Sequence, residues 1–301
     1  MKLLSEPVVI AIISFVAGIG AALIGFIAKY ICDYRIEKRK LQLKERESVA
    51  NFLGSSQSNF VRATKDFYTR LCNFFENPDK ARKWLKPGET SASDGYYLRE
   101  FVYRMFNFLV WGRIVQDRIN ALPPAETEEC PDLQHTYMFV DLAYSIFSYI
   151  WLYKSFHQYD DSRESAHLFS GSMERIAECG IERSKSGIQA ISREQFEKEY
   201  EDATSPIQSL RDFVVKAGHG NSPEISYVIG RLATLKAILA SFLMDFSWTI
   251  KVPNKQEIME QYQKDLSYAG TTSAETLNFA SIVPSNLKEL MERFRCKLLP
   301  V

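Results

Sequence analysis

The alternation of apolar and polar positions is missing from the start of the chain. Residues 7–28, PVVIAIISFVAGIGAALIGFIA, contain no charged side chain, and Ser14 is their one polar one. A helix rises about 1.5 Å per residue, so the run reaches roughly 33 Å, enough to cross a hydrocarbon core of about 30 Å. A helix in water would present a polar face, and this one has none; the Ser14 hydroxyl can bond a carbonyl one turn earlier. The run predicts a single membrane-spanning helix. It exceeds the roughly 7–15 apolar residues of a cleaved leader, and Phe26-Ile27-Ala28-Lys29 is no A-x-A-like cleavage site. The residues before Cys32 do not form a lipidation motif. Small residues recur at four-residue spacing, as Ser14/Gly18/Ala22 and Ala17/Ala21/Gly25. They form a seam along which a second copy of the helix could approach closely.

Beyond residue 28 the pattern becomes helical. Residues 29–53 are rich in strong helix formers and predict a basic stalk that continues the span. Heptad steps from Ile27 land on Ser48 and those from Ile31 meet Lys38 and Glu45, so no coiled coil is expected. Gly54-Ser55-Ser56 predicts a kink or hinge. The expected organisation is therefore an anchor over 1–28, a stalk over 29–53 and a helical domain over 54–301.

Within that domain, Phe60, Phe67, Leu71, Phe74 and Phe75 share one helix face, and residues 77–95, with Pro78, Pro87, Gly88 and Gly95, predict a long loop. Residues 96–120 follow as an aromatic helix with Phe101, Met105, Phe108 and Val115 on its core side and Arg99, Arg113 and Asp117 elsewhere. Residues 136–153 are the second most apolar run. Asp141 argues for a core helix over a second span, because a carboxylate at a bilayer centre costs about 2.5–3.5 kcal/mol on insertion scales. The topology then depends on Asp141 lying in protein and not in lipid. A weaker helical pattern covers 160–187. Ser192 and Gln195 are spaced as a capping box, with Ile191 and Phe196 at the staple positions, and open a short helix that ends before Pro206. The clearest amphipathic stripe is Ile225, Val228, Leu232, Leu235, Leu239, Phe242 and Phe246, with Arg231 and Lys236 opposite. Two more helices are expected over 254–269 and 284–299. No run alternates with the period of a strand, so the fold class is all-α, an N-terminal transmembrane helix continuing into a stalk and then a multi-helix bundle.

Charge adds a direction. The flank before the span holds Lys2 and Glu6, whereas residues 29–50 hold seven basic side chains (Lys29, Arg35, Lys38, Arg39, Lys40, Lys44, Arg46) against four acidic ones. Basic excess marks the cytoplasmic side, which puts the N-terminus outside and the helical domain in the cytosol. Lys29, Arg35, Lys38, Arg39 and Lys40 are the expected contacts to anionic lipid headgroups. Over all 301 residues, 37 basic and 37 acidic side chains cancel, so no general nucleic-acid binder is expected. Five cysteines, at 32, 72, 130, 179 and 296, form no C-x-x-C pair and fit reduced thiols in a cytosolic domain.

Candidate chemistry is sparse. The chain has no phosphate-binding loop, no H-E-x-x-H, no G-x-S-x-G and no dinucleotide fingerprint outside the apolar run. Ser285-x-x-Lys288 reads as a helix cap. His157, Asp160, Asp161 and His167 have ligand-capable spacing and are the candidate metal set, set against a plain solvated loop. Glu174, Glu178 and Glu182 recur every four residues and read as an exposed acidic face beside Arg175 and Arg183. No cofactor is expected.

One inward-facing span, a basic stalk, the aromatic helix YYLREFVYRMFNFLVWGRIVQDRI and the later segment SREQFEKEYED together resemble a group of uncharacterised bacterial membrane-anchored helical proteins. The resemblance implies a bacterial inner-membrane setting and carries no activity or site residues with it. The leading expectation is a non-enzymatic, membrane-anchored interaction or sensing module with a protein partner. The alternatives are an effector that oligomerises through the small-residue seam and disrupts membranes, and a metal-dependent hydrolase built on the histidine and aspartate set.

Overall fold

The computed structural model describes residues 6–86, 95–122, 131–148, 168–184, 187–218, 223–244 and 253–268. Within the helices, only the backbone is described for 6–25, 27–28, 41–53, 131–132, 223–227, 255, 259 and 266. The chain divides into two compact units, Met1–Phe52 and Leu53–Val301. The fold is mostly helical, and among the described residues no helix is long and apolar enough to cross a membrane. The side chains of 6–25 lie outside that statement.

Helix α1, Glu6–Glu76, is a single element of 71 residues. It runs through Gly54-Ser55-Ser56, where a kink or hinge is expected. A glycine in a helix costs only about 1 kcal/mol relative to alanine, and propagation from formed turns on either side recovers a backbone hydrogen bond per residue. Ser56 is buried and no atom approaches the position of a Gly54 side chain, so packing does not force a break.

The long loop expected over 77–95 holds a short helix, α2, Pro78–Trp84. Pro78 occupies its first turn, Asp79 follows, and Arg82 and Lys83 lie in the last turn. Proline ends a helix from inside but favours one from its first position, and the charges complement the helix dipole.

Helix α3, Tyr96–Asn120, buries Phe101, Met105, Phe108 and Val115 as expected, while Arg113 and Asp117 pair at 3.0 Å on its outer side. Helix α4, Pro131–Ser148, buries Phe139, Val140, Leu142, Ala143, Ile146 and Phe147 against the core. Asp141 is exposed, which corrects the expectation that the protein would bury it. The helix is one-sided, and the carboxylate sits on the uncovered side, its pKa pushed up by partial desolvation.

Phenylalanines join these layers. Phe60 packs on Phe108, Phe139 and Phe242 at centroid distances of 5.7, 5.9 and 5.8 Å, and Phe139 stacks on Phe242 at 3.9 Å. Phe67 and Phe74 continue the column onto Phe101. Each aromatic pair adds about 0.5–1.5 kcal/mol beyond its buried area.

Within the weak helical pattern over 160–187, of which 160–167 and 185–186 lie outside the described residues, stands helix α5, Ser170–Cys179, followed by a hairpin of two antiparallel strands, β1, Ile181–Ser184, and β2, Gly187–Ala190, with Ile181 opposite Ala190. This corrects the expectation of no strand. Each strand has four residues and neither is buried on a full face, so the pair carries too little hydrophobic alternation to register as a strand. Gly180 turns the chain between α5 and β1, and a side chain there would lie 2.3 Å from Val110. Glu182 consequently lies on β1, where it accepts from Gln189, and does not continue the Glu174/Glu178 helix face.

Helix α6, Arg193–Glu201, starts at a complete capping box: the Gln195 backbone N–H donates to Ser192 Oγ and the Ser192 backbone N–H donates to the Gln195 side chain. Replacing Ser192 with alanine is expected to cost about 1 kcal/mol, measured as a lowered midpoint in urea titration of the detergent-solubilised chain. Ser192→Asp is expected to hold the wild-type midpoint. Helix α6 is fastened to α3 by charge. Arg193 pairs with Glu100 at 2.9 Å and Glu197 at 2.6 Å, and its guanidinium lies 4.0 Å from the Tyr103 ring centroid. Burial alone would raise the Glu100 carboxyl, but Arg104 and Arg193 hold it below the usual carboxylate range.

Helix α7, Ile207–Lys216, is an addition to the expected elements; Ile207, Leu210, Phe213 and Val214 form its buried face. Helix α8, Pro223–Met244, and helix α9, Lys255–Ser267, close the described fold. α8 packs against α4, α7 and α9. The stripe residues Val228, Leu232, Leu235, Leu239 and Phe242 are buried as expected; Phe246 lies outside the described residues. Arg231 and Lys236, expected on a solvated face, are buried as well. α8 is covered on both sides.

Candidate functional site

Among the described residues, a set of buried polar groups lies along α8, where it meets α1, α4 and α9. Arg231 is 0% exposed. Its guanidinium donates to the carbonyls of Ile146 and, at 2.9 Å, Phe147. Those carbonyls belong to the last described turn of α4, toward the negative end of the helix dipole. The backbone N–H of Leu168 donates to Phe147 as well, so the end of α4 is closed from two directions.

Lys236 lies five residues along the same helix. Its ammonium meets Asp265 Oδ2 of α9 at 2.6 Å, with side-chain exposures of 8% and 1%. Asp265 Oδ1 accepts from Gln261 at 2.9 Å, and the Phe75 ring centroid of α1 lies 5.1 Å from the ammonium. The Thr234 and Tyr262 hydroxyls are 3.2 Å apart, and Thr234 also donates to the Gly230 carbonyl. Tyr68 and Cys72 of α1 complete the set: they interact with each other, Tyr68 also with the Asp265 charge and Cys72 with the charges of both Lys236 and Asp265.

The electrostatics favour uncharged or matched forms. Burial pushes the Cys72 thiol up, against the pull of Tyr68 and Lys236, so at neutral pH it is a thiol and not a nucleophilic thiolate. Burial pushes Tyr68 up and Tyr262 up to about 12. The Asp265 carboxyl is also pushed up by burial, with Lys236 and Gln261 opposing. The charges left are the Lys236 and Asp265 pair, in contact, and the Arg231 guanidinium on the α4 carbonyls. As chemistry, the cluster docks α9 onto α8 with charge-assisted hydrogen bonds; it holds no activated nucleophile among the described groups.

The second polar feature is on α1, within the first unit. Lys29, Arg35, Lys38, Arg39 and Lys40 are all exposed, as a role at lipid headgroups requires. Five large apolar or aromatic side chains are exposed among them: Phe26 at 71%, Tyr30 at 67%, Ile31 at 45%, Tyr34 at 60% and Ile36 at 51%. The sequence pattern does not single these out, because tyrosines among lysines and glutamates read as ordinary stalk. The signal in the sequence is their position within one to two turns of the apolar run.

The seam residues Ser14, Ala17, Gly18, Ala21, Ala22 and Gly25 lie on the helical backbone of α1, and their side chains are outside the described residues. His157, Asp160, Asp161 and His167 also fall outside them. Among the described residues no group of three or more His, Cys, Asp and Glu side chains could hold a metal. Cys32 is exposed, and Cys72 and Cys179 are half-buried free thiols. His135 stacks on Phe242 at 5.9 Å, a packing role. Arg231, Lys236 and Asp265 do not show as a cluster in the sequence because Arg231 and Lys236 find their partners 85 and 29 residues away in the chain. No protein-family model, no curated protein and no solved structure matches the chain.

Proposed function

We propose that the protein is a single-pass membrane protein whose helical domain serves as a cytosolic interaction or sensing module, held by a span over residues 7–28 with the N-terminus outside. The observation that carries this reading is the surface of α1 just past the apolar run, where exposed basic residues from Lys29 to Lys40 stand beside exposed aromatic ones. A helix segment in water has no use for Phe26 or Ile31 uncovered, whereas a bilayer edge accepts both. The bacterial inner membrane enters through the resemblance of the anchor, stalk and aromatic helix to membrane-anchored helical proteins. Net neutrality supports protein, not nucleic acid, as the partner class.

The full chain is expected in the membrane fraction, retained through alkaline carbonate and released by detergent. A chain lacking residues 1–28 is expected in the soluble fraction. Exposed Cys32 is expected to react with an impermeant maleimide in inverted vesicles and not in intact cells. A full chain that stays soluble without detergent, or a Cys32 labelled from outside, overturns the reading.

A further inference from the structure

The exposed aromatic residues of α1 mark a specific depth. We infer that Phe26, Tyr30 and Tyr34 form an interfacial collar that seats the helix in the headgroup layer of an anionic phospholipid bilayer and sets how far the span is drawn into the membrane. The inference rests on the proposed anchor and adds the residues that fix its register.

If the hydrocarbon core ends near residue 28, a rise of about 1.5 Å per residue puts Phe26 about 3 Å inside it, Tyr30 about 3 Å outside and Tyr34 about 9 Å outside. The headgroup layer on each side of a bilayer is roughly 5–8 Å thick, so Tyr30 lies within it and Tyr34 at its outer edge. Tyrosine suits that layer because its ring is apolar and its hydroxyl needs a polar partner. Both tyrosines are more than half exposed, and Phe26 is 71% exposed. Arg35, Lys38, Arg39 and Lys40 follow at about 10–18 Å, where they face anionic phosphates across no more than about a Debye length of water. The collar and the basic ring are thus ordered along the helix as a bilayer is ordered along its normal: apolar, amphipathic, charged.

A second copy of the helix is the other occupant the stripe could take. The residues disfavour it: Asp33 and Glu37 lie on the same side as Phe26 and Tyr30, and the apolar steps from Ile31 meet Lys38 and Glu45, so no seam continues beyond the collar.

The test uses the full-length chain with Cys32 as its one remaining cysteine. That residue is exposed and lies between the two tyrosines. It is labelled with a nitroxide and reconstituted into vesicles containing phosphatidylglycerol, and depth is read from the ratio of oxygen to nickel-chelate accessibility. The parent chain is expected to place the label in the headgroup layer. The double variant Tyr30→Ser/Tyr34→Ser is expected to shift the label by at least one residue's rise, about 1.5 Å, and Tyr30→Trp/Tyr34→Trp to restore the parent depth. Helix content by circular dichroism is expected to be the same in all three. If the serine variant keeps the parent depth, the collar is overturned while the anchor stands. If spin–spin broadening shows paired labels, a helix dimer occupies the stripe and the collar is overturned. If the parent chain does not enter the vesicles at all, the anchor and the collar both fall.

Discussion

Arg231→Ala is expected to destabilise the helical domain by about 3–5 kcal/mol. Two costs combine. Truncating a large side chain at a site with 0% exposure opens a cavity that the surrounding helices fill only in part, at about 2–5 kcal/mol for a large-to-small change. The Ile146 carbonyl also loses the guanidinium that donates to it, while Phe147 keeps the Leu168 N–H, and a buried acceptor that loses its donor costs about 1–3 kcal/mol. Arg231→Met, which keeps most of the stem and carries no charge into the core, is expected to lose less. Urea titration of the detergent-solubilised chain, followed by tryptophan fluorescence, checks both. A midpoint for Arg231→Ala within error of wild type would show that the guanidinium does not hold the end of α4.

The Lys236/Asp265 pair supplies the second large effect and a pH dependence with it. Lys236→Met strands the Asp265 carboxylate at 1% exposure, and removing one partner of a buried pair costs about 3–5 kcal/mol at neutral pH. Burial already pushes the Asp265 carboxyl up. A carboxyl whose folded pKa lies above its unfolded value of about 4 binds a proton more tightly when folded. Its stabilising contribution is therefore full below the unfolded value and lost as pH rises through the folded one. Without Lys236 the folded value rises further, so the deficit of Lys236→Met is expected to be smaller at about pH 5 than at about pH 7. The double variant Lys236→Met/Asp265→Leu is expected to cost less than the sum of the two single changes, because no buried charge is left alone. Urea titrations of the four proteins at both pH values provide the measurement; a strictly additive result would mean the two side chains do not depend on each other.

Helices are legible in the sequence wherever apolar residues recur with a period near that of the helix. Phe60 to Phe75 in α1, Phe101 to Val115 in α3, the Ser192/Gln195 cap of α6 and the α8 stripe all appear where the spacing puts them. The departures have local causes. Pro78 has the look of a breaker, yet it stands in the first turn of α2, where its missing N–H costs nothing. The hairpin strands are too short to show a period. Gly54 has the look of a hinge, yet the turns around it carry the helix through.

By itself, the order of residues determined the elements of local origin: an uncharged run of 22 residues at the start, basic charge beyond it, and helices with one apolar side. These depend on neighbours within a few turns, where side-chain spacing and charge act directly. Only the tertiary structure decided what each polar residue does. Arg231 and Lys236 have the pattern of solvated positions because along α8 they flank the apolar stripe, one on each side. They are buried because the end of α4 is brought over one flank and the last turn of α9 over the other, each offering groups that a cation can satisfy. Asp141 goes the other way: it stands within an apolar run, and it is exposed because nothing among the described residues is packed over that side of α4. Burial is a property of what folds on top of a residue, and that partner is rarely near it in the chain.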